Sequence, residues 1–333
     1  MNKALITGGA GFIGYHLAIR LLAAGFEVDA FDSCLRGRID AHIEELKADS
    51  RYRMVVGDLL DDSCLRKLGN DYTHIFHMAA VVGVRHVVAE PYRVLTDNLS
   101  SLTNVLQLGR RQSGLRRFVF PSTSEVYAGT LKCFGLTFPT PEDTPLTVAA
   151  LDEPRTAYML SKIYGEALCR HAGVPFTIIR PHNVYGPRMG MAHVVPELLM
   201  QAYRLPAEGN LLVFSANHKR TFCYVEDAVE LIVRIADSPA GINQVFNIGS
   251  TDEETSIAAL ADVVAAAVGK PLTIEAGPET QGSPERRCPD ISFAVSVAFY
   301  TPSVSLSDGV RRTYAWYRAH VFDAAEPSIP IMG

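Results

Sequence analysis

Tyr158 and Lys162 close the run Tyr158-Met159-Leu160-Ser161-Lys162 at a spacing that sets both side chains on one face of a helix. A phenol ordinarily loses its proton at about pH 10. An ammonium group beside it favours the phenolate, so such a pair can act as a general base near neutral pH. Upstream, Ser122-Thr123-Ser124-Glu125-Val126-Tyr127 offers hydroxyls that can hydrogen-bond an oxygen as charge develops on it. Its carboxylate at Glu125 offers a second acid or base, or a plain loop cap. A third group binds rather than reacts. Gly8, Gly11 and Gly14 recur every third residue in Gly8-Gly9-Ala10-Gly11-Phe12-Ile13-Gly14. In a dinucleotide-binding turn the first glycine permits a sharp exit from a strand, the second admits a pyrophosphate, and the third lets a helix pack close to the sheet.

These residues need elements to position them, and the pattern around each supplies one. The glycines lie between an apolar strand, Lys3 to Thr7, and an apolar-periodic helix, Tyr15 to Ala24. That helix turns its free N–H groups and positive dipole end toward the phosphates. A second strand, Glu27 to Phe31, ends at Asp32, whose carboxylate lies roughly 20 residues past the glycines and suits the paired hydroxyls of an adenosine ribose. Asp32 would repel a 2′-phosphate, which favours NAD over NADP, although Arg36 and Arg38 stand nearby. Further strands are expected at Tyr52 to Val56, Thr73 to His77, Arg117 to Pro121 and Phe176 to Ile179, and helices at Ala41 to Lys47, Pro91 to Gln112 and Arg155 to His171.

This alternation predicts an α/β fold, a Rossmann-type doubly wound parallel sheet, in which ligands gather at the carboxyl ends of the strands. Ser122 to Tyr127 emerges at such an end. His77 reads as a packed polar residue. Arg85, on an expected loop from Val81 to His86, reads equally as a substrate contact or a solvated arginine. The Pro-, Thr- and Gly-rich stretch from Ala128 to Arg155 is expected to be irregular and to border the site.

The bulk numbers exclude other classes. The chain has 333 residues, 48% apolar and 20% charged, the composition of a globule with a sizeable core. A net charge of -5 gives no footprint for nucleic acid. Six cysteines at positions 34, 64, 133, 169, 223 and 288 show no metal-binding spacing, so no metal and a reducing cytoplasm are expected. The first strand begins almost at Met1, leaving no room for a signal peptide, and no apolar run is long enough for a membrane span.

Past residue 180 the alternation loosens, with helices expected at His193 to Arg204, Val225 to Ala236, Ser256 to Val268 and Leu306 to Ala319. Short strands are expected at Leu211 to Phe214, Thr221 to Tyr224 and Gln244 to Ile248.

The glycine turn, Asp32, the Ser122 to Tyr127 run, the Tyr158/Lys162 pair and the segment Arg180-Pro181-His182-Asn183-Val184-Tyr185-Gly186-Pro187-Arg188 occur in the order found in the extended short-chain dehydrogenase/reductase family. The chain resembles its NAD-dependent nucleotide-sugar epimerase/dehydratase branch from about Lys3 to Tyr317. The resemblance implies an NAD-binding domain over 1–180, a smaller α/β substrate lobe over 181–321 and a tail over 322–333. It implies NAD contacts at Gly8, Gly11, Phe12, Ile13, Gly14 and Asp32. Asp58 and Leu59 would lie beside the adenine, and Ala79, Ala80, Asn98, Tyr158 and Lys162 nearer the nicotinamide end. Asp58 or Asp61 reads equally as a helix N-cap.

The resemblance also implies a chemistry. Tyr158 would take a proton from the C4 hydroxyl of a nucleotide-linked sugar, with Thr123 and Ser124 bonding that oxygen and Lys162 holding the nicotinamide ribose. Asn183 would touch substrate. Arg220 and Arg287 resemble diphosphate-binding arginines, the role a guanidinium fork fits. Glu125 separates outcomes: simple 4-epimerases often carry a small polar residue there, whereas Thr-Ser-Glu strings occur in dehydratases and uronic-acid decarboxylases. Epimerisation, dehydration and decarboxylation all stay open, with Arg287 able to bind a carboxylate in the last. A net NAD(P)-dependent dehydrogenase or reductase and a non-catalytic NAD-binding regulator are rival classes. A homodimer through the helices Pro91 to Gln112 and Arg155 to His171 is expected.

Overall fold

The computed structural model describes residues 2–280 and 283–324, with the side chains of 84–86 left aside. Its centre is a seven-stranded sheet of β1 (Lys3–Thr7), β2 (Glu27–Asp32), β3 (Tyr52–Val56), β4 (His74–His77), β5 (Arg117–Pro121), β6 (Phe176–Pro181) and β7 (Gln244–Ile248), in the order β7-β6-β5-β4-β1-β2-β3. Every pairing is parallel. Parallel strands covered on both faces must be apolar on both faces. Alternate side chains accordingly feed two separate cores: Ala4, Ile6, Val119 and Ile179 point into one, Leu5, Phe118, Phe120 and Ile178 into the other.

Four helices make the covering layers. On one face α1 (Phe12–Ala23) packs beside α4 (Val225–Asp237); on the other α2 (Pro91–Arg110) packs along α3 (Pro154–His171). In α1, Gly14, Leu17, Ala18, Leu21 and Leu22 are buried, the stripe an amphipathic helix turns to its sheet. Arg20 of α1 bonds Glu230 of α4 and ties the two together.

A domain boundary at residue 180 leaves out β7 and α4, since the chain returns to the sheet after leaving it. The return is dictated by apolar surface: Val245, Phe246 and Ile248 add an edge that β6 would otherwise expose. Around that return sits a smaller lobe of the helices Val194–Arg204, Ile257–Val268 and Leu306–Tyr317. It also holds a parallel pair, Asn210–Val213 with Thr273–Ala276, and a three-stranded ribbon of Lys219–Arg220, Thr255–Ser256 and Arg286–Arg287.

Two expectations of irregular chain are corrected. The loop expected from Val81 to His86 turns into a helix, Val84–Ala89, as Gly83 with φ +106° redirects the chain and Val87 buries itself. Ala128–Phe134 is also helical, where the stretch from 128 to 155 reads as irregular throughout. Gly129 and Thr130 are poor helix formers, but Gly129 lies where a Cβ would fall 1.7 Å from the Thr147 carbonyl oxygen, so packing overrides propensity. The strand Thr273–Ala276 and the helix Ser292–Ala298 carry no clear periodicity and were not expected. Among the described residues no helix is long and apolar enough to cross a membrane.

Beneath the carboxyl ends of β5 and β6 runs a buried polar network. Arg180 grips Glu166 through two bonds of 2.9 and 2.8 Å, and both side chains are at most 5% exposed. Arg180 also donates to the Tyr127 hydroxyl (2.7 Å) and the Glu142 carbonyl (2.8 Å). Removing one partner of such a pair strands a buried charge. Glu166→Ala is expected to lower unfolding free energy by about 3–5 kcal/mol, measured by urea denaturation; a loss under about 1 kcal/mol, the cost of a surface pair, would show that Arg180 finds water instead.

Candidate functional site

The glycine turn is built so tightly that only glycine fits. Gly8 has φ +73°, and a Cβ there would lie 2.7 Å from the Ala79 amide nitrogen. At Gly14 a Cβ would lie 2.1 Å from the Gly8 carbonyl oxygen. The α1 helix starts after Gly11 with no side-chain cap, leaving the N–H groups of Phe12 and Ile13 for an anion. Asp32, at the end of the neighbouring strand, accepts from the Ala10 amide (3.1 Å) and the Cys34 amide (2.8 Å), which aims its carboxylate over the turn. Backbone cradle, dipole and carboxylate together fit a dinucleotide.

The other expected coenzyme residues line the same edge. Ala79 packs on Gly8 and its amide reaches the Thr7 hydroxyl at 3.4 Å; Ala80 is half-buried beside it. Asn98 is buried and clasps both backbone groups of Val81, at 2.7 and 3.1 Å, so it shapes that wall. Leu59 is buried, while Asp58 is exposed and accepts from the Leu60 amide at 2.9 Å; the helix N-cap is Asp61. His77 is packed as expected, bonded to the Thr7 hydroxyl at 2.9 Å and held neutral by burial, its pKa lowered to about 3.

Thr123 and Tyr158 meet through a hydrogen bond. Lys162 is buried and donates to the Pro121 carbonyl at 2.8 Å, its ammonium lying 5.8 Å from the centre of the Tyr158 ring. Burial lowers the Lys162 pKa to about 8. The phenol itself is raised above its ordinary value: burial is the largest cause and Glu125 adds to it, against the Thr123 bond and Arg36. Protein groups alone therefore keep Tyr158 protonated at neutral pH, and the Lys162 ammonium lies against the ring and the Pro121 carbonyl. Arg36, which sequence analysis weighed only against Asp32, donates to the Val82 carbonyl at 2.6 Å.

Glu125 forms an ion pair with Arg287, which also reaches the Ser124 hydroxyl at 3.4 Å. Burial is the largest influence on the Glu125 carboxyl group and raises its pKa, but Arg287, Arg155 and Arg220 together outweigh it. The net shift is downward, so Glu125 is ionised at neutral pH. Arg220 and Arg287 sit side by side because their two short strands pair in register. Burial first and Arg287 second lower the Arg220 pKa to about 10. Three guanidinium groups acting on one carboxylate make this wall suited to a further anion.

Beside it opens a cleft of about 310 Å³ lined by Arg155, Asn183, His193, Phe214, His218 and Arg220 among others. Asn183 has φ +42° and lines the cleft, and its side-chain amide donates to the Thr221 carbonyl at 2.9 Å. Arg220 donates to the Lys219 carbonyl at 2.8 Å and the Ser283 hydroxyl at 3.2 Å. The Arg85 side chain lies outside the described residues. Sequence reasoning missed Arg155, whose place in the first turn of α3 carries no motif, and His218, a lone histidine.

Comparison with known proteins matches residues 4–249 to the model of the NAD dependent epimerase/dehydratase family. The chain is similar to UDP-N-acetyl-alpha-D-glucosaminuronate decarboxylase of Bacillus cytotoxicus, 31% identical over 95% of this chain and 98% of that one. It is also similar to UDP-glucuronic acid decarboxylase 1 of Arabidopsis thaliana, 31% identical over 97% of this chain and 72% of that one. Among solved structures, UDP-glucuronic acid 4-epimerase from Bacillus cereus, in complex with UDP-glucuronic acid and NAD, superposes with a TM-score of 0.82 at 28% identity, over 95% of this chain and 99% of that one.

Gly14→Ala must push the turn apart, and is expected to weaken NAD binding at least about tenfold, the effect of losing one charge-assisted hydrogen bond. Gly114→Ala, with nothing within 4 Å, serves as the control. Coenzyme released on denaturing each purified protein measures the difference; equal release would remove the turn from the coenzyme site.

Proposed function

Since the chain belongs to the NAD-dependent epimerase/dehydratase family and is an NAD-dependent enzyme of nucleotide-sugar chemistry, we propose that it decarboxylates a UDP-linked uronic acid. The observation that carries this reading is the ionised Glu125 paired with Arg287 next to the Thr123–Tyr158 hydrogen bond. A sugar whose C4 hydroxyl meets Tyr158 would direct its C6 carboxylate toward Arg287. That both relatives named above as decarboxylases span nearly the whole of this chain supports it.

Bound NAD supplies the acceptor and later donor of a hydride at C4, together with a positive ring charge that favours the Tyr158 phenolate. Tyr158 takes the proton from the C4 hydroxyl, and Thr123 hydrogen-bonds the same oxygen. Lys162 holds the coenzyme's ribose. A ketone at C4 is β to the C6 carboxylate, so the C5–C6 bond breaks with its electron pair passing into an enolate on the C4 oxygen, and carbon dioxide leaves. Arg287 holds the departing carboxylate, and a water hydrogen-bonded to Glu125 gives its proton to C5, its hydroxide being taken up by the released carbon dioxide as bicarbonate. Tyr158 then returns its proton as C4 is reduced, so no net coenzyme is consumed. Arg220 and Asn183 bind the nucleotide end of the substrate. The outer faces of α2 and α3, where Tyr92 and Tyr164 are exposed, join two chains in the same proposal, and the enzyme works in the cytoplasm.

A 4-epimerase acting on the same uronic acid is the second reading, favoured by the likeness to the Bacillus cereus enzyme. Mass spectrometry of UDP-glucuronic acid and UDP-N-acetylglucosaminuronic acid after incubation separates the two: loss of carbon dioxide supports decarboxylation, and unchanged mass with inverted C4 overturns it. Tyr158→Phe is expected to abolish turnover, a fall of at least about 10²–10⁴-fold, while NAD stays bound; retained turnover would rule Tyr158 out as the base. Glu125→Gln is expected to leave C4 oxidation detectable as transient NADH absorbance but to cut carbon dioxide release by about 10²–10⁴-fold. An unchanged release rate would take Glu125 out of the mechanism.

A further inference from the structure

The strand order sets β1 between β2 and β4, so the chain leaving β2 and the chain leaving β4 flank the glycine turn on its two sides. Both loops press on that turn. A Cβ at Gly37 would lie 2.9 Å from the Ala10 side chain, and one at Gly8 would lie 2.7 Å from the Ala79 amide nitrogen. One side chain joins the two loops. Arg36, beyond β2, donates from Nη1 to the carbonyl of Val82, beyond β4, at 2.6 Å. Arg36 is exposed, so this bond runs on the solvent side of the crevice whose floor is the glycine turn.

The Val82 end is a firm anchor. Its neighbour Val81 is clasped through both backbone groups by Asn98, whose amide also donates to the Ser161 hydroxyl at 3.3 Å. Ser161 in turn donates to the Tyr158 carbonyl at 2.7 Å. The arm is thus fastened to the wall that backs the catalytic helix, and its charge is felt at Tyr158 and at His193 of the cleft. Among the described residues no carboxylate pairs with Arg36. A dinucleotide in this crevice brings two phosphate charges to the turn. A guanidinium has five N–H donors in a planar fork that matches phosphate oxygens, and the Val82 carbonyl takes a bond from one nitrogen.

We propose that Arg36 is a coenzyme-binding residue that straps NAD into its crevice, its charge matched to the phosphates and its arm held on Val82, so that NAD leaves only when that bond opens. The proposal rests on the coenzyme site alone and holds whichever sugar is processed. A strap also suits the reaction proposed above, in which the coenzyme is reduced and reoxidised within one turnover and has no need to exchange. The adenosine-ribose carboxylate, Asp32, ends β2, whereas Arg36 reaches away from it to the β4 side. That direction favours the phosphates over a 2′-phosphate as the group it meets.

The test loads purified wild type, Arg36→Ala and Arg36→Lys with radiolabelled NAD and follows its exchange against excess unlabelled NAD. Arg36→Ala is expected to release NAD about ten- to a hundredfold faster, the effect of losing one charge-assisted hydrogen bond. Arg36→Lys keeps the charge without the fork and is expected to lie between the two. Raising the salt from about 0.05 to about 0.5 M is expected to speed release from wild type more than from Arg36→Ala, because exposed charges are screened. Leu35→Ala, at the exposed position next door, is expected to release NAD at the wild-type rate. Equal rates for wild type and Arg36→Ala would overturn the strap. So would a Leu35→Ala rate matching that of Arg36→Ala, which would make loosening of the loop the cause. Faster release of labelled NADP alone, with NAD unchanged, would place Arg36 at a 2′-phosphate and overturn it as well. Wild-type protein that takes up neither coenzyme would refute the coenzyme site itself, and that result is visible without any variant.

Discussion

A single carboxylate facing three guanidinium groups sets the character of this molecule. Glu125 leaves the end of β5, while Arg287 and Arg220 come from the small lobe and Arg155 from the start of α3. Taking charges out of water is costly, and they persist in the interior only when well paired. The Glu125–Arg287 pair therefore ties the small lobe to the carboxyl edge of the sheet at the place where the Thr123 and Tyr158 side chains meet. Burial first and the neighbouring Arg287 second depress the basicity of Arg220, and an anionic substrate would relieve the second.

The rest of the site is held rigid from below. Arg180, Glu166, Tyr127, Glu142 and Asn247 form a chain of hydrogen bonds under the ends of β5, β6 and β7. In a low-dielectric interior such networks are strong when satisfied and costly when not. Lys162 adds a second anchor: its bond to the Pro121 carbonyl fixes the turn of α3 that carries Tyr158 against the end of β5, two residues before Thr123.

Tyr158 shows how the protein and its coenzyme divide the work. Burial that excludes water from the reacting centre also holds the phenol protonated. In the proposed mechanism a positive coenzyme ring changes that balance, which would couple proton transfer to coenzyme binding.

What the sequence by itself determined was local. A turn that tolerates only glycine, an acidic residue at the next strand end, and a tyrosine and lysine one helical turn apart are short-range patterns, and each lies where its period and spacing place it. Six of the seven sheet strands read directly as apolar runs in the first 181 residues. The seventh also read as a strand, but nothing local said which sheet it joins. Its place beside β6 was decided by buried area between segments more than 60 residues apart. The helix at Ala128–Phe134 likewise exists because Gly129 packs on the Thr147 carbonyl, against its own propensity. The electrostatic wall belongs wholly to tertiary structure. Arg220, after Lys219, and Arg287, after Arg286, are far apart in the sequence, and only the parallel pairing of their two-residue strands sets them shoulder to shoulder before Glu125. Coulomb interactions depend on distance in space, which residue order does not encode.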